Sequence, residues 1–233
     1  MLSSDTHRVL SDLRDQLYQL ADIGDDSHDP VLREEILDSL ILSLMALSGL
    51  THESMLRSLD WRFLEMGRRI ERALLTGNLL RSTLVTVLDD DAEEQVLETL
   101  MLSSETLNTY RRRYPKGAKI STALPIMMFD ESNPRSLIYQ INALEEHLAS
   151  LSTPTRTHTL TPPQRALLHA ASELRLAHSA ELSTIESQGS RQKLDDLLAL
   201  VLVQMTHCAD RISEAHFEQS RKPHQLIFAN TGG

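Results

Sequence analysis

The stretch Trp61-Arg-Phe-Leu-Glu-Met-Gly-Arg-Arg-Ile-Glu-Arg-Ala73 decides the fold class of this 233-residue chain. It lies inside a longer segment, residues 55–87, where apolar or small residues recur at Leu56, Leu59, Phe63, Met66, Ile70, Ala73, Gly77, Leu80, Leu84 and Val87. Steps of three and four put these positions on one stripe of an α-helix, so the segment is expected to pack along a continuous seam. Its other faces carry Arg62, Glu65, Arg68, Arg69, Glu71 and Arg72, more arginine than a plain solvent face needs. On a 3.6-residue wheel Arg68 and Arg72 lie roughly opposite Ile70, and they must meet water, a second helical layer or a ligand.

Outward from this segment the helical period repeats. Val9, Leu10, Leu13, Leu17 and Leu20 predict a helix over 4–21, and Leu37, Leu40, Ile41, Leu44 and Leu47 predict a second over 30–48, stopped or bent at Gly49. Asp89, Asp90 and Asp91 sit where carboxylates favour the start of a helix, here over 92–112. A short buried helix is expected over 124–129. Further helices are expected over 134–151, begun by Asn133-Pro134, over 163–183 and over 191–218. Aromatics make up 4% of the chain and alternating β-branched runs are nearly absent. The expectation is therefore all-α, an elongated bundle of about six or seven helices. Its parts are a motif-bearing bundle over 1–151, a Thr/Pro-rich connector over 152–163, a C-terminal helical hairpin over 164–221 packed on the same bundle, and a loose tail over 222–233.

The formal charge of −10 argues against nucleic acid as a partner, because phosphate-backbone binding needs a basic surface that releases counterions. The longest apolar run, residues 40–50, falls short of the roughly 20 residues a membrane-spanning helix needs. Residues 1–20 are polar and lack the apolar core of a signal peptide. The single cysteine, Cys208, cannot form an internal disulfide. Together these read as a soluble, cytoplasmic protein without a membrane partner, and they leave self-association open. Asp25, Asp26, His28 and Asp29 match neither a calcium-loop nor a zinc spacing, so no metal is expected. No glycine-rich phosphate loop or nucleophile elbow is present, and no cofactor is implied.

Two further elements carry excess charge. Tyr110-Arg-Arg-Arg-Tyr-Pro-Lys-Gly-Ala-Lys119 holds five cations and no carboxylate. Part of that charge suits a helix C-terminus. The rest either pairs with acidic faces of neighbouring helices or grips a phosphate or carboxylate through bidentate hydrogen bonds from Arg111, Arg112 and Arg113. Arg135, in the first turn of its expected helix, has the wrong sign for the helix dipole and must answer to a carboxylate or an anionic ligand.

Residues 48–73, Tyr110-Arg-Arg-Arg-Tyr114 and Asp130-Glu-Ser-Asn-Pro-Arg-Ser136, in that order, resemble the bacterial alpha-E family. The family's Trp followed by Gly-Arg-x-x-Glu-Arg is matched by Trp61, Gly67, Arg68, Glu71 and Arg72, and the likeness extends in weaker form to about His216 or Phe217. Members of that family are all-helical and carry two related halves. This chain shows the motif once, so the resemblance implies a match mainly to the C-terminal portion, with residues 1–20 corresponding to the end of the first half. Because the family accompanies circularly permuted ATP-grasp ligases and transglutaminase-like peptidases, the resemblance implies a role in peptide ligation or modification with an ATP-grasp partner.

Three readings follow. The first is a helical accessory or binding protein whose anion- or peptide-binding surface is drawn from Trp61, Arg68, Glu71, Arg72, Arg111, Arg112, Arg113, Asn133 and Arg135. The second is a structural interaction module whose Arg/Glu motif is an interhelical ion-pair network. The third is an enzyme using Glu71 as acid or base, its proton affinity set by Arg68 one turn back and by Arg72.

Overall fold

The computed structural model describes residues 3–23, 30–151, 159–186 and 189–217. The acidic loop at 25–29, the connector over 152–158 and the tail over 222–233 lie outside the described residues. Among those described there are ten α-helices, one π-helical turn and no named strand. All-α holds; the number of helices exceeds the expected six or seven because three of the expected segments are built in more pieces.

The chain divides into two compact units, residues 1–64 and 65–233, and the division falls inside a helix. The smaller unit holds α1 (Ser4–Ile23) and α2 (Pro30–Ser54), which pack on each other through Leu13, Ile36 and Leu40, flanked by Val9, Leu20, Ile23 and Leu47. Gln16 Nε2 donates to Ser39 Oγ across the pair (2.8 Å). Gly49 does not end α2. A mid-helix glycine costs only about 1 kcal/mol relative to alanine, and Thr51 Oγ1 bonds back to Leu47 O (2.9 Å) in a helix that runs on to Ser54. The expected inward stripe of α2 is also corrected: Leu37, Ile41 and Leu44 are exposed, and Ile36 with Leu40 forms the contact. Residues 40–50 are apolar on nearly every side, so their period does not select a face.

α3 (Leu59–Leu84) begins at the end of the smaller unit and runs into the larger. In the larger unit its seam is as expected: Met66, Ala73, Gly77, Leu80 and Leu84 are buried. Leu56 and Leu59 are exposed. A Cβ on Gly77 would sit 2.9 Å from Leu202, so the missing side chain lets α3 approach the C-terminal helix closely.

The helix expected over 92–112 is two helices, α4 (Asp90–Ser103) and α5 (Leu107–Arg113). Asp89 Oδ1 caps α4 by accepting from Ala92 N (2.9 Å). Between the two, Glu105 takes a left-handed conformation at φ 56 that costs a side-chain-bearing residue energy and turns the chain. After α5 the buried Tyr110 hydroxyl accepts from Lys119 N (3.0 Å) and lies 3.0 Å from Gly117 O. α6 (Ile120–Leu124) then runs into a π-helical turn, Pro125–Phe129, in place of the short helix expected over 124–129. Pro125 has no N–H to donate, which disrupts the regular ladder at this point.

α7 (Leu137–Leu151) starts three residues later than expected, and Asn133 is not its cap. Ser136 Oγ accepts from Tyr139 N (3.2 Å), the spacing of an N-cap. The next expected helix is split into α8 (Pro162–Leu176) and α9 (Ser179–Leu182), and α10 (Gln192–His216) closes the described chain. α10 packs on α8 and α8 on α7, so segments on both sides of 152–163 belong to one unit. Residues 85–87 and 189–191 are clipped together by an isolated antiparallel bridge between Thr86 and Ser190, with Val87 N donating to Gly189 O (3.2 Å). No helix among the described residues is long and apolar enough to cross a membrane.

Candidate functional site: an arginine cluster between α3 and the 130–136 loop

The larger unit brings four of the arginines together. Glu65, 3% exposed, accepts from Arg68 Nη1 (2.6 Å) and Arg69 Nη2 (3.1 Å). Arg69 also reaches Gln140 Oε1 (3.4 Å) and stacks over the Tyr139 ring at 5.6 Å. Gln140, itself buried, donates to Pro134 O. A chain of polar contacts thus runs from α3 through α7 to the loop that carries Arg135.

That loop is fixed from several sides. Asn133 Nδ2 donates to Ile126 O in the π-helical turn (2.8 Å), and Asn133 Oδ1 accepts from Arg135 N (3.0 Å). Ser136 Oγ, fully buried, donates to Asp130 O (2.7 Å). Asp130 accepts from Ser132 N and Oγ (3.0 and 2.6 Å) and from Arg113 Nη1 (3.0 Å). The hydrogen bonds from Ser132 first, with Arg113 adding to them, hold the Asp130 carboxyl below the usual range. Asn133 is therefore a positioning residue whose amide is already engaged. Arg135 side-chain contact is loose by comparison, 3.5 Å to the exposed carboxylate of Glu105.

Arg72 is the exception in this network. It is half-buried, and among the described residues it has no hydrogen-bond or ion-pair partner. Both oxygens of the nearest buried carboxylate, Glu65, are taken by Arg68 and Arg69. Burial first, then the charges of Arg135, Arg69 and Arg68, lower its proton affinity, and Glu65 offsets them only in part. A guanidinium stays protonated at neutral pH, so its charge sits here in an unfavourable field that an anion would relieve.

Arg135 also lines two adjoining clefts. One, about 320 Å³, is bordered by Ser104, Glu105, Thr106, Arg113, Asp130 and Ser132 among others. The other, about 150 Å³, is bordered by Leu75, Leu79, Leu80, Leu100 and Met127. Ser104, Asn133 and Arg135 border both.

The remaining expected site residues are placed elsewhere or differently. Arg111 pairs with Glu98 of α4 (3.0 Å) and Arg113 with Asp130, so pairing with acidic faces accounts for two of the triplet. Arg112 is exposed, with no ion pair among the described residues. Trp61 belongs to the smaller unit, where the Arg57 guanidinium lies 4.3 Å over its ring. Glu71 is exposed and among the described residues pairs with no arginine, so it does not share the Arg68 contact that an acid or base tuned by that arginine requires; Glu65 holds that place. Sequence reasoning missed Glu65 as a buried group, although its i+3 and i+4 spacing to Arg68 and Arg69 was a usable signal. It also missed Tyr139 and Gln140, for which no local signal exists. Among the described residues no group of three or more His, Cys, Asp or Glu side chains is arranged to hold a metal ion.

A family model named Alpha-E, described as a predicted alpha-helical domain with a conserved ER motif, matches residues 1–217. The only Glu-Arg dipeptide in the sequence is Glu71-Arg72. The chain is also 31% identical over 211 residues to uncharacterised proteins of Mycobacterium tuberculosis and Mycobacterium bovis. The match covers 90% of this chain and 23% of each relative, so the chain spans about a quarter of the length of the curated relatives it matches. No solved structure matches it.

Proposed function

The chain belongs to the Alpha-E family, and we propose that within it this helical domain is an anion-binding accessory module of a peptide-ligation or peptide-modification system built around an ATP-grasp-type ligase. The observation that carries the binding part is Arg72: half-buried, without a counterion among the described residues and beside three other guanidinium groups. It is also the arginine of the chain's one Glu-Arg dipeptide, the kind of motif the family description singles out. A carboxylate or phosphate placed between Arg72 and Arg135 would gain charge-assisted hydrogen bonds and remove the like-charge repulsion. Arg68, Arg69, Arg111 and Arg113 already have carboxylate partners and fit the structural reading instead. The ligase partnership rests on the family's association with such enzymes.

Melting the 233-residue chain in phosphate and in chloride at matched ionic strength tests the anion site. Phosphate should raise the melting temperature of the wild type and leave Arg72→Gln unmoved; equal shifts in the two proteins would remove Arg72 from the reading. Co-purification with an ATP-grasp ligase encoded beside the gene tests the partnership, and absence of association both for this chain and for its full-length relative would end it. Glu71→Gln should leave the activity of such a complex unchanged.

A further inference from the structure

The two clefts that meet at Arg135 differ in chemistry, and the difference bears on which anion is taken. On α3, Arg72 is followed at i+3, i+4 and i+7 by Leu75, Thr76 and Leu79, so one stripe of the helix passes from a guanidinium to the wall of the smaller cleft. Leu75 and Leu79 are 63% and 43% exposed, and the cleft they border is also lined by Leu80, Leu100 and Met127. At about 150 Å³ the space suits one aliphatic side chain. The larger cleft, which shares Arg135, is bordered by Thr109 and the exposed carboxylate of Glu105, and by Ser104 with Thr106 and Ser132 with Asp130, whose side chains bond to each other in pairs. Such groups match the donors and acceptors of a peptide backbone.

We propose that the Arg72–Arg135 site captures the C-terminal carboxylate of a peptide that ends in an aliphatic residue, with the terminal side chain in the Leu75–Leu79–Met127 cleft and the preceding residues in the cleft beside Ser104 and Ser132. This rests on the anion-binding reading above and deepens it. Arg135, which borders both clefts, and Arg72, one turn before Leu75 on α3, supply the complement to a carboxylate. The adjoining apolar cleft supplies a preference for what that carboxylate is attached to. A simple aliphatic acid would fill the smaller cleft and leave the larger one to water, whereas a peptide terminus occupies both.

Isothermal titration of the 233-residue protein with N-acetyl-Ala-Ala-Leu as free acid, the same tripeptide as C-terminal amide, isocaproate, acetate and phosphate separates the outcomes. The free acid should bind at least tenfold tighter than the amide, than acetate and than isocaproate. Arg135→Gln should weaken the free acid tenfold or more. The double substitution Leu75→Asn with Leu79→Asn replaces exposed residues; it should weaken the free acid by a similar factor while leaving phosphate binding and the melting temperature unchanged. Amide binding as tight as the acid, or isocaproate as tight as the tripeptide, would overturn the inference. If phosphate binds through Arg72 and the tripeptide acid does no better than acetate, the peptide inference falls and the anion site stands; if neither phosphate nor acetate binds, both fall.

Discussion

Arg191 and Arg72 are the same side chain in the same compact unit with opposite surroundings. Arg191 is 2% exposed, donates to Leu84 O (2.9 Å) and to the carboxylate of Glu93, and receives further support through its own N–H, which reaches Val85 O (2.9 Å). Arg72 is only half-buried, yet it has other guanidinium groups around it and no partner among the described residues. Burial alone therefore does not separate an arginine that ties two segments together from one left without a partner; the count of carboxylates and carbonyls around it does. A buried cation with a carboxylate and a carbonyl assigned to it holds two segments together, here the end of α3 and the start of α10. A cation among cations is held in place by the fold at a cost, which an anion placed beside it would offset.

The comparison is broken most severely at Arg191. Arg191→Met leaves the part-buried Glu93 carboxylate unpaired and Leu84 O without its donor, and should destabilise the protein by about 3 kcal/mol, the lower end of the usual loss when one partner of a buried pair is removed. Urea unfolding measures it. Adding Glu93→Gln to Arg191→Met should recover part of the loss, since the stranded charge is then gone; no recovery would mean that the carbonyl contact, not the ion pair, holds the clip between 85–87 and 189–191.

Glu65→Gln comes next. It removes the buried carboxylate that Arg68 and Arg69 share, and with it the negative charge that partly offsets the repulsion on Arg72. The arginines keep some access to water, so the loss should be smaller, about 2–3 kcal/mol. Added phosphate should restore more stability to Glu65→Gln than it adds to the wild type, because more uncompensated charge is there to be met.

These contrasts were only partly legible in the sequence. The period of Met66, Ala73, Gly77, Leu80 and Leu84 identified the buried face of α3 because five apolar or small positions at helical spacing leave one way to pack. The same rule failed on α2, where apolar residues on all sides left the face undetermined. It placed Glu65 outside the core because a buried carboxylate becomes tolerable only when its partners are counted, and one of the groups in that network, Gln140, lies 71 positions beyond Arg69. The breaks at Glu105 and after Leu176 were missed for a different reason. Neither carries glycine or proline, and the left-handed residue that closes α4, with Thr106 N bonded back to Met101 O (2.8 Å), is a glutamate where glycine or asparagine is usual. Arg72 and Arg135 were both picked out as excess charge, but that Arg135 comes near Arg72, while Arg111 and Arg113 pair with Glu98 and Asp130, follows from the loop that Asn133 and Ser136 tie down.

Asp130 offers a test that sharpens the site's scaffold without touching Arg72. Its folded-state carboxyl titrates below the unfolded value of about 3.9. A depressed value means stability that is fully present above the unfolded pKa and is lost as pH falls through the folded one. Asp130→Asn should therefore be less stable than wild type at pH 7, by an amount that shrinks below about pH 4 and vanishes once the wild-type carboxyl is protonated. Melting temperatures of the two proteins between pH 7 and pH 2.5 measure it. Asp195, held low by Arg81, follows the same sign in both proteins and cancels from the difference.

The smallest effect on stability is expected where the largest effect on binding is. Arg72→Met keeps the length and apolar stem of the side chain and removes a charge that its neighbours repel. In the absence of anion it should change stability by no more than about 1 kcal/mol, on the stabilising side. A loss comparable to that of Arg191→Met would show that Arg72 has a structural partner after all and would erase the distinction between the two arginines. A neutral or slightly stabilised protein that no longer responds to phosphate would place Arg72 among residues kept for what they bind, since nothing in the folding of the unliganded chain would then require its charge.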